Sequence, residues 1–129
     1  MSGQWLDRGW ILGPYLRLVL DEAEYYAQLK LLGIKNGEQF PFVGTAQARL
    51  NYYKHAGKTI AFVCCNMTKL KDYDGIQVAA LLVHEASHVF DFWCKDVGER
   101  RPSAELKAYS LQAISQALMY SWADQNNGK

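Results

Sequence analysis

Leu81-Leu82-Val83-His84-Glu85-Ala86-Ser87-His88-Val89-Phe90 places a His-Glu-x-x-His motif inside an otherwise uncharged run. A run this apolar belongs on a buried helix, and a helix gives the motif its meaning. Residues four apart are separated by one turn and about 40° of rotation, so His84 and His88 face the same way and can share one metal ion. Glu85 stands about 100° round from His84, within reach of a water on that metal without being a ligand itself. The plainer reading is a core helix with two hydrogen-bonded histidines and a surface glutamate. Against it, these are two of only three histidines in the chain, and a carboxylate in an apolar run is costly to bury without a role. The motif therefore predicts a Zn2+ site. The helix carrying it is expected from about Ile76 to Lys95, with Asp72 or Asp74 as its cap.

Zinc held by two histidines wants a third protein ligand and an open position. A helix-breaking Gly three residues after His88 and a His three later would supply one, but Asp91 and Cys94 stand there. Cys94 points about 240° away from His88 on a continuous helix. Asp91 shares the histidine face yet lies about 10 Å of rise beyond His84, which suits a carboxylate on the substrate side of the site. Val97 to Pro102 break the chain, and Glu99 there sits beside Arg100 and Arg101 as a solvated charge. Ser103 opens a last helix, expected to run to about Asp124. Glu105 in its first turn shares a face with Ala108, Tyr109 and Gln112, and this stripe is expected to turn inward toward the metal. On that reading Glu105 is the third ligand. The alternative is a first-turn acid placed against the helix dipole.

Toward the N-terminus, Pro14 precedes apolar residues at helical spacing from Tyr15 to Leu32, with Gly33 as a stop, which predicts a first helix. Asn36-Gly37, Pro41 and Gly44 mark a connector with room for a short strand near residues 39–43. Residues 48–55 and 59–65 read as two strands joined by a hairpin-length connection, Ala56-Gly57-Lys58. The polar residues of the first suit an edge strand. Helix, small antiparallel sheet, metal helix and final helix make an α+β fold, and 129 residues without repeats or low-complexity segments are expected to form one domain, residues 1–129.

Composition removes several classes of function. A net charge of +1 without a basic patch argues against nucleic acid as a partner, and hence against a transcription regulator or nuclease. No apolar run reaches membrane-spanning length and no signal peptide is visible, so a cytoplasmic protein without a pro-segment is expected. Cys64, Cys65 and Cys94 form neither a disulfide framework nor a Cys-x-x-Cys site, and are expected as free thiols.

The set His-Glu-Ala-Ser-His-Val (84–89), the Gly98-Glu99 loop, and Pro-Ser-x-Glu-x-x-Ala-Tyr-x-x-Gln (102–112) resembles the gluzincin class of zinc metallopeptidases, particularly the small forms encoded by bacteriophages and prophages. The resemblance covers residues 59 to 120. It implies a minimal zincin-like domain with His84, His88 and Glu105 as metal ligands, Glu85 as general base, and a peptide or protein as substrate. The chain lacks the C-terminal helical domain of the larger gluzincins. In such an enzyme Glu85 takes a proton from water and delivers it to the leaving amine. The tetrahedral intermediate needs a further donor, for which Tyr109, one turn after Glu105, is the candidate and His55 the alternative. Tyr109 as a packed aromatic and His55 as a surface residue are the plainer roles. The competing class of function is a non-catalytic, zinc-stabilised phage accessory or assembly protein, whose four tryptophans and eight tyrosines would serve an interaction surface. An intact general base beside the metal favours the enzyme. If the protein is phage-encoded, the host cytoplasm or the virion is its setting.

Overall fold

In the computed structural model, which describes residues 5–6, 15–35, 37, 40, 47–55 and 58–127, the chain runs β1 (Trp5–Leu6), β2 (Tyr15–Val19), α1 (Glu22–Leu32), β3 (Ala48–His55), β4 (Lys58–Cys65), α2 (Met67–Leu70), α3 (Gly75–Val97) and α4 (Ala104–Asn127). The fold is α+β. Its four strands lie in the order β1-β2-β4-β3. β3 and β4 pair antiparallel, as do β1 and β2, but β2 and β4 run parallel, with Leu16 opposite Ala61 and Leu18 opposite Val63. The sheet is thus mixed rather than purely antiparallel.

That difference has its origin in the segment expected to be one helix from Tyr15 to Leu32. Its first five residues are β2, and only Glu22–Leu32 are helical. Leu16 and Val19 satisfy helical spacing, yet together with Leu18 they also fill a strand buried on both faces, and the second arrangement holds because β4 lies alongside. Asp21 sets the boundary: its carboxylate accepts from the Ala23 N–H at 2.8 Å and caps α1. Arg17, 6 % exposed, is compensated within this core by Glu24 at 3.0 Å and lies over the Trp5 ring.

Alternation along the central strands gives the sheet two apolar faces. Leu16, Leu18, Ala61, Val63 and Cys65 meet α3 and α4, whereas Val19, Ile60, Phe62 and Cys64 meet Tyr25 and Leu29 of α1. The result is one helix, a sheet and two helices in layers. α3 covers its predicted span and extends it by a residue or two at each end. Asp74, not Asp72, is its cap: the carboxylate accepts from Gln77 N while the Gln77 side chain accepts from Asp74 N. Val78, Leu82, Ala86, Val89 and Phe90 are its buried residues on the sheet. Gly98, at φ 78°, ends the helix in the left-handed conformation and lets the chain return as α4. Ser103 Oγ accepts from Leu106 N at 3.1 Å at the start of α4.

β3 is an edge of the sheet, beside α3. The short strand expected at residues 39–43 falls, except for Phe40, outside the described residues, as do Ala56 and Gly57 of the hairpin. No described helix is long and apolar enough to cross a membrane.

Candidate metal centre

α3 presents His84 and His88 on its exposed side and turns Glu85 inward, as a rotation of about 100° per residue requires. The two Nε2 atoms lie 3.2 Å apart, with the rings inclined at 81°. A tetrahedral ion with bonds of about 2.0–2.1 Å to nitrogen holds two such atoms about 3.3–3.4 Å apart, so the pair already has the separation that a shared ion needs. Glu85 Oε2 lies 3.9 Å from His84 Nε2. His84, Glu85 and His88 together form a group able to hold a metal ion, with one ligand atom from each lying within 4.8 Å of the others. The backbone beneath is regular, and Ser87 Oγ donates to the His84 carbonyl at 2.7 Å.

Glu85 is only 3 % exposed, and its Oε1 has no hydrogen-bond partner among the described residues. Burial pushes its pKa above the ordinary carboxylate value, and the two imidazoles act in the opposite direction. Buried thiols share this region: burial together with the Glu85 charge pushes Cys65 up to about 12, and Cys64 is raised as well. Cys64, Cys65 and Cys94 are all free. A buried carboxylate and two imidazoles brought together in this way are a donor set that suits a cation.

The group opens into a cleft of about 410 Å3 between the sheet edge and α3. One wall is Ala48, Arg49, Leu50 and Tyr52 of β3; the other is His84, Glu85, His88, Asp91, Phe92 and Lys95 of α3. Neither the chain's motifs nor its charge pattern singled out Tyr52, Phe92 or Lys95. The signal was present in their spacing, since Phe92 follows His88 by four residues and Tyr52 shares a strand face with Ala48 and Leu50.

Compared with family models, with curated proteins and with solved structures, the chain matches none of them. Its site therefore stands on geometry alone.

One expectation is overturned. Glu105, Ala108, Tyr109 and Gln112 do not face inward: all four are exposed, Tyr109 at 66 %. Neither Glu105 nor Tyr109 lines the cleft, and Glu105 is outside the histidine group. α4 instead buries Ser110, Ile114, Leu118, Ser121 and Gln125. Small side chains let this helix face pack closely, and the Gln125 amide finds the Leu18 carbonyl at 3.0 Å and Ser121 Oγ at 3.1 Å. Polarity was thus a poor guide to which face of α4 looks out. Glu99 is exposed and accepts from Arg101 N at 3.3 Å. His55 closes β3, and its side chain lies outside the described part of the structure.

Proposed function

We propose that the chain is a zinc-dependent peptidase in which Glu85 is the general base. The observation that carries this reading is the meeting, in an open cleft, of two imidazole nitrogens 3.2 Å apart and the buried Glu85 carboxylate, whose Oε2 lies 3.9 Å from His84 Nε2. A purely structural metal site has no use for such a base. Imidazole donors suit zinc, and the spacing on one helix is that of zinc hydrolases.

When bound, the ion would polarise a substrate carbonyl and make water acidic near neutral pH. Glu85 takes the proton of the attacking water and hands it to the leaving amine; its raised pKa suits a group that must both accept and release a proton. The position of β3 at the edge of the described sheet, as one wall of the cleft, supports an extended polypeptide as substrate, because an edge strand can take an added strand. Free thiols support a reducing compartment, the cytoplasm. Glu105 is the third ligand in this proposal, although it lies outside the histidine group.

The exposed positions of Glu105 and Tyr109 favour the second reading, a zinc-stabilised module without catalysis. Metal analysis and a peptide-library digest separate the two. Wild-type protein should hold one zinc and cleave; His84→Ala and Glu105→Ala should lose the metal. Glu85→Gln should keep zinc and lose hydrolysis by at least ~10²-fold. Zinc retained in Glu105→Ala removes that residue from the ligand set and leaves Asp91, already in the cleft, or water. Tight zinc with no cleavage across the library establishes the module instead.

A further inference from the structure

The cleft has a direction. Tyr52 of β3 stacks on Phe92 of α3, ring centroids 4.0 Å apart and 29° from parallel, and Lys54 two residues on pairs with Asp96 four residues on. Two strand residues advance about 6.6 Å and four helix residues about 6 Å, so β3 and α3 keep step along the cleft. Continuing backwards, Leu50 falls level with His88 and Ala48 with His84. The metal group therefore occupies one end, and the described lining extends from it in one sense only, to Asp91, Phe92, Lys95 and Tyr52.

What waits at the far end is a flat aromatic surface. Phe92 is buried beneath Tyr52, whereas Tyr52 is 54 % exposed. Unlike the other exposed aromatics, Tyr52 lines the cleft that holds the histidine group. Asp91 and Lys95 on the α3 wall carry opposite charges and Arg49 adds a cation on the β3 wall, so charge alone does not define what the platform takes; its ring face does. A planar side chain is what such a surface takes, by offset stacking. The Tyr52 platform lies one helical turn, about 6 Å, beyond His88, which is two residues of extended chain.

Resting on the peptidase reading, we infer that Tyr52, stacked on Phe92, is a specificity-determining residue that selects substrates with an aromatic side chain two residues from the bond cleaved. Tyr52 touches neither metal group nor general base in this role; it positions the chain that lies along β3.

The test uses alanine-based octapeptides with a single phenylalanine walked through every position. Cleavage is followed with wild-type protein, and affinity is measured calorimetrically on zinc-loaded Glu85→Gln, each with and without Tyr52→Thr and Tyr52→Phe. One position of phenylalanine, two residues from the cut, should improve affinity and KM about two- to tenfold. Tyr52→Thr should abolish that preference, and Tyr52→Phe should keep it. A merely structural Tyr52 would lower melting temperature in Tyr52→Thr without altering the ratio between phenylalanine and alanine peptides. Cleavage with no positional preference, or with one that survives Tyr52→Thr, overturns the subsite and leaves the peptidase standing. Tyr52-dependent binding without cleavage leaves the subsite as a peptide-binding site and overturns the peptidase. Absence of both overturns both.

Discussion

Two side chains on α3 show how differently a carboxylate can be treated within eleven residues. Glu85 is shut in beside Cys65 and left with an unpaired oxygen, an arrangement that weakens the fold and is tolerated where a proton must be moved. Asp96 is held by a partner of opposite charge and by a hydroxyl: Lys54 of β3 forms an ion pair with it, and Thr59 Oγ1 of β4 donates to Oδ2 at 2.9 Å. Lys54 holds the Asp96 pKa below the ordinary value; slight burial opposes it and the Thr59 hydroxyl assists. A depressed folded pKa means stability that is present above the unfolded value of about 3.9 and lost as pH falls through the folded one. Asp96→Asn should therefore melt a few degrees below wild type at pH 7, for about 1 kcal/mol, and the difference should shrink below about pH 4 in thermal melts. The place of Glu85 beside the histidines was legible in the sequence, because helical spacing alone fixes it. The pairing of Asp96 was not, since it depends on which strand ends beside it.

The elements divide in the same way. α3 could be read almost to its ends, because its apolar face, its cap and its terminating glycine agree with one another. The capping box is measurable: Asp74→Ala should destabilise by about 1 kcal/mol in chemical denaturation without affecting metal content. β2 was hidden for a physical reason. Leu16 and Val19 fit a helix as well as a strand, and what selects the strand is β4, more than forty positions away in sequence, which no local pattern contains. The outward face of α4 was misread for a related reason: serines at 110, 115 and 121 are acceptable in a tight helix interface, so the polar stripe at 105, 108, 109 and 112 did not need to be the buried one.

On the scale of the whole molecule, the layered arrangement sets a rigid helix against an edge strand and leaves the groove between them open. Among the described residues the group His84, Glu85 and His88 lies on α3 alone, so metal binding should stabilise an assembled fold rather than create it. Zinc at about a hundred times its dissociation constant should add about 2.7 kcal/mol and raise the melting temperature by several degrees; His88→Ala should melt at one temperature with or without zinc. A chain that unfolds outright on chelation would contradict this, because the two apolar cores contain none of the three residues of the group.

The hydrogen bond from Gln125 Nε2 to the Leu18 carbonyl joins residues 107 positions apart. Among the described residues β1 pairs with β2 at Leu16 and Arg17, and the Gln125 amide donates to the carbonyl of the next residue along β2, Leu18. Its consequence is temporal. During synthesis β2 emerges long before either β4 or the last turns of α4 exist, and until they arrive it is an apolar strand with exposed edges. The molecule closes late, through contacts distant in sequence, which is the topology of slow folders and of chains that depend on chaperones while being made.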